Sequence, residues 1–174
     1  MIREIQILRV SLPVTAVLLC TYFLAFYGCS TPARAVKMAP AEISIVKTHP
    51  YSVRITVTGG QDNPPVGRPQ ITNLAFREAV IDSILKSGLF ARIVMDSNGK
   101  ADYLLSVTLF GMDKLVFRND VKMEVGWTLQ RPYGGIVWQE AIVTAARGNV
   151  IEGTEAAARD NISQALGKMS KLSL

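Results

Sequence analysis

The chain has 174 residues, 19% of them charged and 49% apolar, with a formal net charge of +5. That length suits one domain of ordinary size, and the apolar content excludes a disordered chain. Its cations, from Arg54 through Arg92 and Lys122 to Lys171, are interspersed with acids, so no basic stripe fits a phosphate backbone and nucleic acid is not an expected partner.

Residues 1–9 carry Arg3 and Arg9, and residues 10–27 then run without a charge, the pattern of a targeting segment. The apolar run is longer than the roughly 7–15 residues of a signal core and reaches the roughly 17–25 that cross a bilayer as a helix. At its end, Phe26-Tyr27-Gly28-Cys29-Ser30 resembles the lipobox of bacterial lipoproteins, with the small Gly28 directly before the cysteine. Phe26 and Tyr27 stand where that pattern usually has a leucine and a second small residue. The resemblance implies a cut between Gly28 and Cys29 and a diacylglycerol on Cys29. Ser30 after the cysteine is similar to the outer-membrane sorting pattern. Two other fates are compatible with the block. Ala33-Arg34-Ala35 has the A-x-A form of an ordinary signal-peptidase site, which would release a soluble periplasmic protein, and an uncleaved helix would leave an inner-membrane protein. The organisation expected is a signal segment over 1–28, a lipidated cysteine and tether over 29–42, and a folded domain over 43–174.

Within the domain, Ile43, Ile45, Val53, Ile55 and Val57 alternate with polar residues as strands do. The run from Gly59 to Pro65 breaks that pattern as a turn and loop. Thr72 is placed to cap a helix whose apolar positions are Leu74, Phe76, Ala79, Val80, Ile84 and Leu85, closed by Gly88. A short strand follows over 89–95. Residues 103–110 are apolar on both faces, as a central strand would be, with a bulge placed at Gly111. Val121, Met123, Val125, Trp127 and Leu129 alternate cleanly with polar neighbours, and residues 136–146 form the return strand of a second hairpin. Gly153-Thr154 opens a last helix with its stripe on Ala158, Ile162, Ala165, Leu166, Met169 and Leu172. This order predicts an α+β two-layer sandwich, a mainly antiparallel sheet with two helices on one face.

From Val53 to about Leu172, the strand ending in Gly59-Gly60-Gln61-Asp62, the helix, Ala101-Asp102-Tyr103-Leu104-Leu105, the long hairpin and the Ala-rich last helix resemble the YajG family of small outer-membrane lipoproteins. The same plan, with Ser87-Gly88-Leu89-Phe90, is similar to ABC-type transport auxiliary lipoproteins. The first resemblance implies no defined biochemical role, and the second implies an accessory part in moving lipids or polymers across the envelope.

No catalytic pattern is present: there is no phosphate-binding loop, dinucleotide fingerprint, nucleophile elbow or zinc-protease motif. Asp82, Asp102, Asp113, Asp120 and Glu140 share no local motif, and solvated surface is their expected place. Cys20 and Cys29 both lie N-terminal, so the domain has no disulfide and no thiolate ligand. His49, the single histidine, cannot build a zinc site alone and is expected partly exposed at a loop or strand end. No metal and no cofactor is expected. Asn73 and Arg77 have the residue types, but not the spacing, of OmpA-like peptidoglycan-binding helices; packing of the helix accounts for them.

Alternation in the last strand puts Val137, Ala141, Val143 and Ala145 with the core and Ile136, Trp138 and Ile142 on the opposite face, a surface for a partner or a second copy. The function expected is that of a non-catalytic envelope accessory protein, anchored by lipid to the periplasmic face of the outer membrane and acting through protein or lipid contacts. The alternatives are a periplasmic module holding a small glycan or lipid in a groove beside the sheet, and an inner-membrane protein with an uncleaved helix.

Overall fold

Five strands carry the architecture: β1 (His49–Thr58), β2 (Phe90–Ile93), β3 (Tyr103–Leu115), β4 (Asp120–Gln130) and β5 (Ile136–Arg147). Among the described residues three helices accompany them, α1 (Ala35–Met38), α2 (Asn73–Ser87) and α3 (Val150–Met169). They are seen in a computed structural model that describes residues 33–61, 70–96, 99–115 and 120–174. All belong to one compact unit, Thr31–Leu174.

The spatial order is β2-β1-β3-β4-β5, and β3 is central as its two apolar faces require. β1 is parallel to both β2 and β3, whereas β3, β4 and β5 are antiparallel, so the sheet is mixed and not purely antiparallel. The difference arises because α2 returns the chain beside β1 in the same direction, as a strand-helix-strand unit does. Residues 94–102 then cross β1 to reach its other side, pinned there by hydrogen bonds from Val94 N–H to Val53 O and from Arg54 Nη1 to Gly99 O.

α2 has the ends its sequence demands. Thr72 accepts from Ala75 N–H at 3.0 Å, and Gly88 takes the left-handed conformation at φ 63° that a side chain disfavours. Its buried stripe, Phe76, Ala79, Val80, Ser83 and Ile84, is narrower than expected, and Leu74 and Leu85 are exposed. α3 starts earlier than Gly153: Asn149 is its cap, accepting from the N–H groups of Ile151 and Glu152. Gly153 lies one turn inside, where a Cβ would come within 2.8 Å of Val121. Gly59 is equally constrained, with φ 84° and no room for a Cβ against the Leu109 carbonyl. The Asn73 side chain receives Gly60 N–H at 2.8 Å, and Arg77 donates to Ile55 O, so both residues close the β1-to-α2 connection.

The core lies between the sheet and the helices. Trp127, Leu105, Leu129, Met123, Phe76, Ile84, Ile162 and Leu166 are all fully buried there. Inside it, Trp127 Nε1 donates to Asn161 Oδ1 at 2.9 Å, and Asn161 Nδ2 donates to Ile142 O at 2.8 Å, so one amide ties α3 to both β4 and β5. His49 is fully buried, contrary to expectation. Its Nε2 lies 3.0 Å from the Met169 carbonyl and therefore donates to it, and its ring packs against Phe90.

The stretch expected as a tether is part of this core from Ala33 onward. Ala33 and Met38 are buried, and Ala33 N–H donates to Gln70 O. Contacts then move down α3 in register with the chain. Arg34 N–H and Nε donate to Glu155, Arg159 donates twice to Lys37 O, Gly167 approaches Ser44 O, and Val46 N–H meets Ser170 Oγ. α1 contacts α2 and α3 more extensively than they contact each other, so it fills the gap between them. Residues 40–48 form no strand, and Ile43 and Ile45 pack as side chains on the core.

Candidate functional site

Gly28, Cys29 and Ser30 lie outside the described residues, as does the apolar block before them. Among the described residues no helix is long and apolar enough to cross a membrane. The surface expected at Ile136, Trp138 and Ile142 does not exist as one patch. Ile142 is buried opposite Val125, and Trp138 is half-buried opposite Leu129, both on the helix side of the sheet. Ile136 is 59% exposed on the other face, opposite Gln130. A register shift between Leu129 and Gln130 separates them, so parity counted from the turn assigns Trp138 and Ile142 to the wrong face.

The helix-free face is mostly flat, with Phe110 laid across Gly126, where a Cβ would come within 2.5 Å of the ring. At one end it is concave. Where residues 94–102 cross β1 and the β4-β5 turn rises opposite, they enclose an open cleft of about 570 Å³. Tyr51, Arg54, Tyr103 and Leu104 line it from the sheet, Lys100 and Asp102 from the crossing segment, and Arg131 and Tyr133 from the turn. Tyr51 and Tyr103 meet edge to face at 5.3 Å. Tyr133 is 98% exposed, held out by a turn with Gly134 and Gly135 at positive φ and Gly134 N–H bonded to Arg131 O.

Asp102 holds the cleft's wall in place. Its Oδ2 accepts from Ser52 N–H at 2.7 Å and from Ser52 Oγ at 2.6 Å, and its own N–H donates back to Ser52 Oγ. The Ser52 hydroxyl and then the Ser52 N–H hold the carboxyl below its ordinary 3.8; desolvation opposes them and the Arg92 charge assists. A carboxyl lowered in the folded state stabilises fully above its unfolded value, and that contribution is lost as pH falls below 3.8 through the folded value. Asp102→Asn is therefore expected to be less stable than the parent at about pH 6, with the gap narrowing as the solution is acidified below about pH 4. Chemical denaturation across that range checks it, and a gap of constant size would mean that the charge contributes nothing.

No family model matches the sequence, and no curated protein does. Solved structures do match. The fold is similar to that of the hypothetical protein CT253 of Chlamydia trachomatis. The TM-score is 0.52 at 8% identity, over 70% of this chain and 98% of that one. Protein XCC0632 of Xanthomonas campestris, of the DUF330 family, matches with a TM-score of 0.48 at 10% identity, over 76% of this chain and 87% of its own. Lipoprotein GNA1162 of Neisseria meningitidis matches at 0.43 and 9% identity, over 70% and 99%. At such identities a likeness concerns the fold alone.

Other carboxylates have structural partners. Asp82 pairs with Lys86, Asp120 with Arg147 and Glu140 with Lys168. Among the described residues no group of His, Cys, Asp and Glu is placed to hold a metal ion. The cleft residues escaped sequence reasoning because they come from β1, the crossing segment and a turn some 80 residues apart. The one local signal was the polar turn Arg131-Pro132-Tyr133-Gly134-Gly135, whose tyrosine has no apolar neighbour in sequence.

Proposed function

We propose that the protein is a lipid-anchored accessory protein of the bacterial envelope, held through Cys29 at the periplasmic face of the outer membrane and working by binding, not catalysis. The observation that carries this reading is the docked N-terminal segment. Cleavage after Ala35 would remove the buried Ala33 and the Arg34 partner of Glu155, cutting into the fold. Cleavage before Cys29 leaves that whole segment intact. Pairing of the dispersed carboxylates with lysine, arginine or serine supports a structural use of those groups.

The placement also constrains how the body sits. From Cys29 to Ala33 the chain can span at most about 14 Å, because an extended residue covers about 3.5 Å. Two or three acyl chains, each contributing about 0.8 kcal/mol per buried methylene, would hold that point at the bilayer. The domain would then lie close against the membrane with its α3 N-terminal end nearest.

Intact-mass measurement of protein extracted from membranes tests the reading. The expected species begins at Cys29 and carries acyl mass, and Cys29→Ser should leave the membrane-anchored mature pool. A retained Met1 would make this an inner-membrane protein with an uncleaved helix. An unlipidated start at Val36 would mean secretion and would also contradict the docked segment.

A further inference from the structure

We propose that the cleft on the helix-free face is a binding site for a small ring-bearing oxyanion, a sugar that carries a phosphate or a carboxylate. Two exposed cations, Lys100 and Arg131, line it together with Arg54 and the carboxylate of Asp102. That carboxylate is turned to Ser52 and engaged by both donors there, so it forms no ion pair with Lys100 or Arg131. Arg54 is half-buried and its Nη1 is held by the Gly99 carbonyl, so it forms part of the wall between them. Lys100 and Arg131 are exposed on opposite walls and make no ion pair among the described residues. Guanidinium forks match phosphate and carboxylate oxygens, and cations on facing walls select a ligand whose negative charge lies between them.

The ring is argued from Tyr133. A tyrosine that is 98% exposed packs on nothing in this chain, yet glycines at positive φ hold its backbone at the rim of the cleft. Such a ring contributes only when something flat covers it, and aromatic side chains so placed are typical binding hot spots. The volume, about 570 Å³, lies in the range of small-molecule sites, roughly 300–1,000 Å³, and is larger than a bare phosphate needs.

Calorimetric titration of the full mature protein in detergent, in a phosphate-free buffer, tests this with glucose 6-phosphate, glucuronate, glucose and inorganic phosphate. Binding of either charged sugar, weakening as salt rises, with neutral glucose silent, is the expected result. Which of the two binds more tightly identifies the anion as phosphate or carboxylate. Lys100→Gln and Arg131→Gln should each weaken binding about tenfold or more, and Tyr133→Ala about threefold or more. The melting temperature should stay unchanged, since all three side chains are exposed. Equal affinity for glucose, or charged-sugar affinity indifferent to both cation variants, would overturn the charged site. Inorganic phosphate binding as tightly as the sugar phosphate would overturn the ring, and silence from all four probes would overturn the proposal.

Discussion

Trp127→Ala is expected to cost about 3–5 kcal/mol of folding stability, read as a shift in the urea midpoint. The side chain is fully buried at the middle of β4, its ring 6.2 Å from that of Phe76, and its N–H is the donor to Asn161 Oδ1. Alanine thus leaves both a cavity and an acceptor without its donor. Trp127→Phe separates the two, since it keeps much of the volume and should cost about 1–3 kcal/mol for the orphaned amide oxygen. Trp138→Ala gives the contrast. That indole sits on the same face beside Leu129 but only half-buried on an edge strand, so its loss should exceed the roughly 0.5 kcal/mol of a surface change yet stay well below that of Trp127. A Trp138→Ala variant as stable as the parent would mean that this indole does not pack on the core.

The two tryptophans show where local pattern ends. β4 alternates strong apolar and polar residues, and both its face and its extent are legible from Val121 to Gln130. β5 offers Ala141, Val143, Ala145 and Ala146 against Ile142 and Thr144, a contrast too weak to set parity. Its face is decided by the register shift beside the turn and by α3, where Asn161 takes Ile142 O and Thr144 Oγ1 donates to Ala157 O. α2 was legible at both ends because Thr72 and Gly88 act through their own backbone neighbourhoods. The parallel placement of β1 beside β3 was not, since it follows from residues 94–102 crossing β1, which no residue in that segment announces. The cleft shares that origin: Ser52 and Asp102, fifty positions apart, meet because of the crossing.

The start of the described chain and the cleft fall at opposite ends of the domain. Ala33 is held beside Gln70 and Arg34 beside Glu155, near the start of α3, whereas His49 sits at Met169, its last residue. Glu155 and Met169 lie about 21 Å apart along the helix axis at 1.5 Å per residue, which is about the separation of the two contacts. On the proposed anchoring through Cys29, the cleft would face away from the bilayer.

A chain starting at residue 43 is expected to unfold at a clearly lower urea concentration than one starting at residue 31, with a loss of at least about 3 kcal/mol. Composition reads 30–42 as a linker, rich in Pro, Ala and Ser, and a linker would contribute nothing. Instead Met38 is fully buried between α2 and α3, and removing a buried methionine side chain typically costs about 2–5 kcal/mol. The truncation also strips Glu155, 4% exposed, of the Arg34 N–H and Nε donors. A buried carboxylate left without its partner is costly, although Arg34 is itself largely exposed and water can replace part of what it supplied. Two variants separate these contributions. Met38→Ala in the longer chain should reproduce the packing loss alone. Glu155→Gln should destabilise the longer chain yet recover part of the stability of the shorter one, because a neutral amide is less costly to leave unpaired than a charge. Equal midpoints for the two chains would show that residues 33–42 only lie on the domain and that the anchor is joined to it by a free tether.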